Sequence, residues 1–132
     1  RPQCDNEDIV LRMQLPDHPV IADVDASLLK QALLNLLINA THAMQDNEHN
    51  ELMIRLAEDS GEALIHVIDT GKGIEEERLD EIFHPYVSSK RGGTGLGLPT
   101  TMRIAQEHGG HITVNSTVGQ GSDFVVRVPL RT

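Results

Sequence analysis

The sequence is short of aromatic residues and of cysteine. Its 132 residues include no Trp, one Tyr and two Phe, so the core of the fold must be built from aliphatic side chains. The single cysteine, Cys4, excludes an internal disulfide and a multi-cysteine zinc site. We interpret it as an ordinary thiol, and this usage favours a reducing, cytoplasmic compartment.

Long apolar runs are also missing. No run approaches the roughly 18 residues that a bilayer-spanning helix needs, which excludes a membrane helix in this sequence. A basic segment followed by an apolar one is not found at Arg1, so we expect no secretory signal. These features predict a cytoplasmic domain that makes no membrane contact of its own.

Basic charge is scarce and unevenly placed. The net charge of −9 argues against nucleic-acid binding, which needs a basic surface. Residues 1–87 carry 6 Lys and Arg against 18 Asp and Glu, whereas residues 88–132 carry 5 against 2. An anionic ligand held near the junction of the two parts would fit this distribution, although charge alone favours a solvated acidic surface.

Apolar periodicity predicts one α/β domain over residues 1–132. Asp25 is the expected N-cap of the longest helix, and Gly109-Gly110 is expected to end the last one. The hairpin-like spacing of the strands indicates a largely antiparallel or mixed sheet, with the helices on one face as in a two-layer α/β sandwich. Strands are predicted at 9–15, 20–23, 51–58, 63–69, 111–116 and 122–130, and helices at 25–46, 75–83 and 96–108.

Two asparagines interrupt the apolar stripe of the first helix. Asn35 and Asn39 lie four positions apart, so they share one helix face. Asparagine is unfavourable within a helix, because its side chain competes for backbone hydrogen bonds. The two amides either bond a neighbouring element or ligate a hard cation such as magnesium, which amide oxygens can do without adding charge.

A carboxylate and two glycines follow the strand predicted at 63–69. Asp69 ends the strand, and Gly71 and Gly73 come next. A carboxylate at this position can accept a hydrogen bond from an exocyclic amine such as that of adenine, and the glycines let backbone approach a planar ring. A tight turn started by the aspartate is the plainer alternative.

A glycine run precedes the last predicted helix. Gly93, Gly95 and Gly97 free successive N–H groups at the start of that helix, an arrangement suited to phosphate. Lys90 and Arg91 lie just upstream, and residues 85–95 are expected to form a mobile loop. The run is neither a Walker A loop nor a Rossmann fingerprint, and a flexible hinge is the alternative.

Taken in order, four segments of the chain resemble the N, G1, F and G2 boxes of sensor histidine kinases. They are Asn-Leu-Leu-Ile-Asn-Ala at 35–40, Asp-Thr-Gly-Lys-Gly-Ile at 69–74, Ile-Phe-His-Pro-Tyr at 82–86 and Gly-Thr-Gly-Leu-Gly-Leu at 93–98. The resemblance is to the ATP-binding catalytic domain of that family, within the GHKL superfamily, and it covers nearly the whole chain. It implies the Bergerat fold, in which a mixed sheet is backed by three helices.

The resemblance also implies roles for individual residues. Asn39 matches the magnesium ligand, Asn35 its companion, and Asp69 the carboxylate that binds the adenine amine. Phe83 matches the aromatic residue that anchors an ATP lid over residues 84–95. Asn35, Asn39 and Lys90 form the implied catalytic set. The other positions that the match assigns to the nucleotide are His42, Ala43, Gly71, Gly73, Ile74, Gly93, Thr94, Gly95, Leu96, Gly97 and Leu98.

One departure from the family pattern affects the phosphate contacts. Many sensor kinases carry Lys-Tyr or Arg-Tyr three and four residues after the N-box asparagine, where this chain has His42 and Ala43. A neutral His42 can contact phosphate only weakly, so Lys90 becomes the more important candidate for the phosphate contact. The N-box stretch and the compact lid are most similar to kinases of the nitrogen-regulation type.

None of the seven histidines has the sequence context of the family's phosphoacceptor. The resemblance therefore implies a kinase domain of a longer two-component signalling protein, with ATP and magnesium as cofactors. Its implied partners are a phosphoacceptor and dimerisation domain, on the same or a partner subunit, and the receiver domain of a response regulator. We expect the full-length protein to be a homodimer and this domain alone to be a monomer.

Two other functions remain open at this point. A GHKL ATPase would hydrolyse ATP with a glutamate at the position of Asn35, and an amide is a poor base. An anti-sigma-type Ser/Thr kinase or a pure nucleotide-binding module would fit the aromatic F box and the glycine run less well. The residues therefore favour phosphoryl transfer to histidine.

Overall fold

A five-stranded sheet with two α-helices against one face forms the part of the chain that the structure describes. The structure is a computed structural model, and it describes residues 9–45, 49–83 and 97–131. The elements are β1 (Ile9–Gln14), α1 (Ala26–Ala43), β2 (Asn50–Asp59), β3 (Glu62–Asp69), a 3-10 turn (Glu76–Arg78), α2 (Gly97–Glu107), β4 (His111–Thr117) and β5 (Gly121–Pro129).

The sheet is mixed, as the sequence predicts. Its strand order is β1-β2-β3-β5-β4. The two strands joined through α1 run parallel, with Ile9 opposite Asn50, because a helical crossover returns the chain in the same direction. The other three pairings are antiparallel. The two-layer α/β architecture predicted from the sequence is confirmed.

The core lies between the helices and one face of the sheet. Alternate residues of the central strands point to this face, among them Val67 and Phe124, which are opposite each other and 1% exposed. Leu36 and Ala40 of α1 and Ala105 of α2 close the core from the other side. Apart from Phe124 and Met44, its fully buried side chains are aliphatic, which follows from the scarcity of aromatic residues.

Local signals place several element ends correctly. The side chain of Asp25 accepts a hydrogen bond from the N–H of Leu28 and caps α1. Ser60 and Gly61 both have positive φ, of 54° and 80°, as a two-residue type I′ hairpin between β2 and β3 requires. Gly109, with φ of 79°, ends α2, and the next N–H closes back on the carbonyl of Ala105 at 2.9 Å.

The strand predicted at 20–23 is absent. The segment between Pro19 and α1 is irregular, and the N–H of Arg131 donates to the carbonyl of Ile21 at 2.8 Å. Its apolar residues nevertheless pack against the core, and the guanidinium of Arg131 binds the Asp23 carboxylate. The alternation therefore reflects burial of one side of an irregular segment, without a pairing strand.

The prediction of three α-helices is also wrong in its count. Residues 75–83 form a 3-10 turn at Glu76–Arg78 followed by further turns, so the described residues contain two α-helices. Most side chains between 75 and 81 are exposed, and a helix this short needs tertiary packing to persist. In addition, α1 ends at Ala43 rather than 46, with Met44 as its C-cap.

The whole predicted lid, residues 84–95, lies outside the described residues, and so do Cys4 and Leu96. The lid residues that the sequence assigns to phosphate binding are Lys90, Gly93, Thr94 and Gly95. No helix among the described residues is long and apolar enough to cross a membrane.

Candidate functional site

Asp69 is a buried carboxylate at the end of β3. It lies opposite Leu52 on one neighbouring strand and Ser122 on the other, and it is only 3% exposed. Its Oδ1 accepts a hydrogen bond from the N–H of Gly71 at 2.8 Å. Its Oδ2 is buried and has no hydrogen-bond partner in the described structure. Such an orphaned acceptor indicates a site that a ligand donor would complete.

The protein environment makes this carboxyl group unusual. Burial raises the pKa of Asp69 above its ordinary value, and the nearby backbone N–H groups of Gly71 and Ser122 partly oppose the rise by stabilising the charged form. A pKa shifted by burial in a polar recess is typical of functional sites. An N–H donor from a ligand would favour the ionised, acceptor-only form at Oδ2.

The loop after Asp69 is clamped between two other parts of the chain. The N–H of Lys72 donates to the carbonyl of Ala43 at 3.0 Å, and the N–H of Gly119 donates to the carbonyl of Lys72 at 2.8 Å. A Cβ added at Gly71 would lie 2.6 Å from the Ala43 carbonyl oxygen. These contacts fix the loop beside the end of α1, where Ala43 acts through its backbone.

Gly73 meets a different constraint. Its φ is 78°, and a Cβ there would lie 2.3 Å from the carbonyl oxygen of Thr117. Only glycine fits such a conformation and such a close backbone approach. Both predicted loop glycines are therefore required by packing of protein against protein, whatever they also offer a ligand.

Two serines beside Asp69 were missed by the sequence reasoning. Ser116 and Ser122 share a hydrogen bond between their hydroxyl oxygens at 2.8 Å, and Ser122 is 6% exposed. The N–H of Ile74 donates to the Ser116 hydroxyl at 2.8 Å. Both serines point to the inner face of the sheet, because they continue the alternation of Val114 and Phe124. A polar residue at an inward position of a predicted strand is the signal that could have found them.

The two helix asparagines have different surroundings. Asn35 Nδ2 donates to the carbonyl of Gly97 at 3.3 Å and to the hydroxyl of Thr101 at 3.4 Å. Asn39, one turn further along α1, is half-buried, and its side chain makes no hydrogen bond with the described residues. The alternative of bonding a neighbouring element therefore holds for Asn35, whereas the amide of Asn39 stays available to a ligand.

The remaining described residues of the predicted site surround this end of the core. Phe83 packs edge-on against Phe124, with ring centroids 6.4 Å apart, so the only two phenylalanines of the chain touch. Ile74 and Leu98 pack against the same cluster. His42 is half-buried in the last turn of α1. Three of the four predicted motifs thus meet along the second half of α1: the Asp69 loop at its end, Gly97 beside Asn35, and Asn39 between them.

Comparison with known proteins identifies the family. Residues 24–132 match the family model described as Histidine kinase-, DNA gyrase B-, and HSP90-like ATPase. Sensor histidine kinase ZraS of Escherichia coli is 38% identical over 127 residues, which is 96% of this chain and 27% of that protein. Sporulation kinase C of Bacillus subtilis is 39% identical over 107 residues, 81% of this chain. The chain spans about a quarter of the length of these relatives.

Solved structures agree with this match. The catalytic domain of histidine kinase ThkA superposes with a TM-score of 0.83 at 28% identity, covering 96% of this chain and 83% of that domain. Full-length ShkA, solved with AMPPNP, superposes with a TM-score of 0.85 at 26% identity, covering 99% of this chain and 27% of that protein. The chain therefore belongs to the histidine kinase-, DNA gyrase B- and HSP90-like ATPases, an ATP-binding family, and is a catalytic domain of the sensor histidine kinase type.

Proposed function

We propose that this domain binds ATP with magnesium and transfers the γ-phosphoryl group to a histidine on a separate phosphoacceptor and dimerisation domain. The observation that carries the proposal is the buried Oδ2 of Asp69, which has no hydrogen-bond partner among the described residues. A buried carboxylate oxygen without a donor is costly to maintain in a fold that gains nothing from it. An exocyclic amine of adenine supplies the missing N–H.

Adenine recognition would use the protein groups around Asp69. Its Oδ2 accepts from the amine, while Gly71 holds Oδ1 and thereby fixes the plane of the carboxylate. The Ser116–Ser122 hydroxyl pair adds further hydrogen-bonding capacity beside the base. The side chains of Ile74 and Leu98 would supply apolar contact next to this polar recess.

Asn39 is the proposed magnesium ligand. Its amide oxygen is a hard, neutral donor of the kind that Mg²⁺ accepts, and no described residue competes for it. When bound, the ion would neutralise negative charge on the phosphates, which is the main requirement of phosphoryl transfer. Lys90 and the glycines at 93 and 95 are proposed phosphate contacts from the sequence alone, as is a weaker contact by His42.

The residue at position 35 favours phosphoryl transfer to histidine over hydrolysis of ATP. An amide cannot take a proton from water near neutral pH, and the N–H groups of Asn35 are already directed at α2. A histidine from the partner domain is itself a competent nucleophile and needs no base at this position. We further propose that the longer protein is a homodimer that passes the phosphoryl group to a response regulator.

The test is a time course of phosphate release from ATP and magnesium, with and without an added phosphoacceptor domain. The domain alone should bind ATP and release phosphate very slowly, and the added domain should become phosphorylated on histidine. Steady turnover by the domain alone, at a rate typical of dedicated ATPases, would replace this proposal with the hydrolytic alternative.

A further inference from the structure

Helices α1 and α2 pack antiparallel, and hydrogen bonds from α1 and its N-cap reach both ends of α2. At one end, the N–H of Asp25 donates to Nε2 of His108 at 2.9 Å. At the other, Asn35 contacts Gly97 and Thr101. The second junction lies at the first turn of α2 and one helical turn from Asn39, so it adjoins the proposed phosphate side of the site.

The junction at Asn35 is a closed network of three groups. The Thr101 hydroxyl donates to the carbonyl of Gly97 at 2.9 Å and accepts from Asn35 Nδ2. Because a carbonyl oxygen only accepts, the NH₂ group of Asn35 must face Gly97, which fixes the orientation of the amide. Thr101 is fully buried at 0% exposed, so water does not replace these bonds readily.

We propose that Asn35 is a positioning residue, which holds the first turn of α2 at a fixed place relative to Asn39 through Gly97 and Thr101. This inference rests on the proposed function. The phosphate groups must reach N–H groups on α2 and a metal ligand on α1 at the same time. A displacement of one helix relative to the other by about 1 Å is enough to impair binding at such a site. Among the described side chains of α1, Asn35 is the one that hydrogen-bonds to the first turns of α2.

The proposal explains why the position carries an amide. The two acceptors it faces, a carbonyl and a hydroxyl that already donates elsewhere, both require N–H donors. A carboxylate at position 35 would offer only lone pairs and would repel the Gly97 carbonyl. Asn35, which stands where the ATP-hydrolysing GHKL proteins carry a glutamate, therefore also anchors α2.

Asn35→Leu and Thr101→Val test the proposal, because both remove hydrogen bonds at nearly constant volume and add no charge. Affinities for adenosine, ADP and ATP with magnesium would be measured by calorimetry. We expect Asn35→Leu to lower the affinities for ATP and ADP on the order of tenfold, and Thr101→Val to lower them less. The affinity for adenosine should be unchanged in both variants. The double variant should be little worse than Asn35→Leu, because the groups act as one unit.

Phosphotransfer adds a second readout. With an added phosphoacceptor domain, Asn35→Leu should both raise the KM for ATP and lower kcat. His108→Phe is the matched control, since it breaks the helix junction at the far end. It should lower the melting temperature and leave the ratio of ATP to adenosine affinity unchanged.

The results separate this inference from the proposed function. Asp69→Asn should lower the affinities for adenosine and ATP alike. Unchanged affinities in this variant would contradict the proposed function and not the inference about Asn35. Equal losses of adenosine and ATP in Asn35→Leu and Thr101→Val would make the network merely structural and overturn the inference. So would unchanged ATP affinity in Thr101→Val, the milder variant, if Asn35→Leu does not fold.

Discussion

The imidazole of His108 accepts a hydrogen bond at Nε2 from the backbone N–H of Asp25, 83 positions earlier in the chain. Its Nδ1 lies 2.8 Å from the carbonyl oxygen of Ile104, which can only accept. The ring must therefore carry its proton on Nδ1 and be neutral in this arrangement. One side chain thus ties the start of α1 to the end of α2.

Replacement of His108 by Phe should lower the free energy of unfolding by about 1 kcal/mol, since one hydrogen bond at each ring nitrogen is lost while the size is retained. Urea unfolding monitored by circular dichroism measures this. His111→Phe on the edge strand β4 is the control, because His111 is exposed. An equal effect of the two variants would contradict the helix-joining role.

Asp69→Asn should reduce ATP affinity by about tenfold or more, because an NH₂ group replaces the acceptor that faces the adenine amine, and bonds to charged groups contribute roughly 1.5–3 kcal/mol. Calorimetric titration measures the loss. Asp123→Asn removes the same charge from the opposite face of the sheet, where the carboxylate bonds His66 at 3.1 Å, and should leave ATP affinity unchanged.

The raised pKa of Asp69 predicts a pH dependence of stability without nucleotide. Between the ordinary and the raised pKa, the folded state holds a proton that the unfolded state has released. The contribution of Asp69 to stability therefore falls as pH rises through that window and is constant above it. The difference in unfolding free energy between the wild type and Asp69→Asn, measured by urea titration at several pH values, should fall in the same way. A flat difference would contradict the raised pKa.

Gly71→Ala should destabilise the fold by about 1–3 kcal/mol, because its Cβ would lie 2.6 Å from a backbone carbonyl that cannot move without displacing the end of α1. Gly97→Ala is the matched control. Its Cβ would meet Asn35 at an ordinary 4.0 Å, so the free energy of unfolding should change by less than about 1 kcal/mol. Thermal unfolding of both variants tests the contrast.

Asn39→Ala should weaken ATP binding in the presence of magnesium and have little effect in its absence, because the proposed ligand acts only through the ion. Titrations with and without a chelator measure the two affinities. Gln31→Ala, at an exposed position of the same helix, controls for changes in α1 itself. Equal losses under both conditions would assign Asn39 a structural role.

Local features were the most predictable from the sequence. The Asp25 cap, the hairpin at 60–61 and the end of α2 at Gly109 depend on residues within a few positions of one another. The candidate site at Asp69 could be proposed from the sequence because the strand end and its glycines are contiguous. These signals need no knowledge of the rest of the fold.

Features that depend on distant contacts could not be predicted in the same way. The hydrogen-bond partners of Asn35 lie 62 and 66 positions away in the sequence. Its contacts therefore depend on how α2 packs against α1, which the residues around Asn35 do not reveal. The segment at 20–23 alternates like a strand and packs against the core, but it pairs with no strand among the described residues, and its backbone bond at Ile21 comes from the N–H of Arg131. Residues 75–83 have helical spacing yet too little buried surface to hold a full helix.

The mixed topology has a consequence for how the sheet assembles. Strands β2 and β3 are joined by two residues and β4 and β5 by a short turn, so these hairpins close small loops at little entropic cost. Strand β1 instead pairs Ile9 with Asn50, which requires α1 and the segment before it to be in place. Because such distant pairings slow folding, we expect β1 to dock last and to be the first strand released when the domain unfolds.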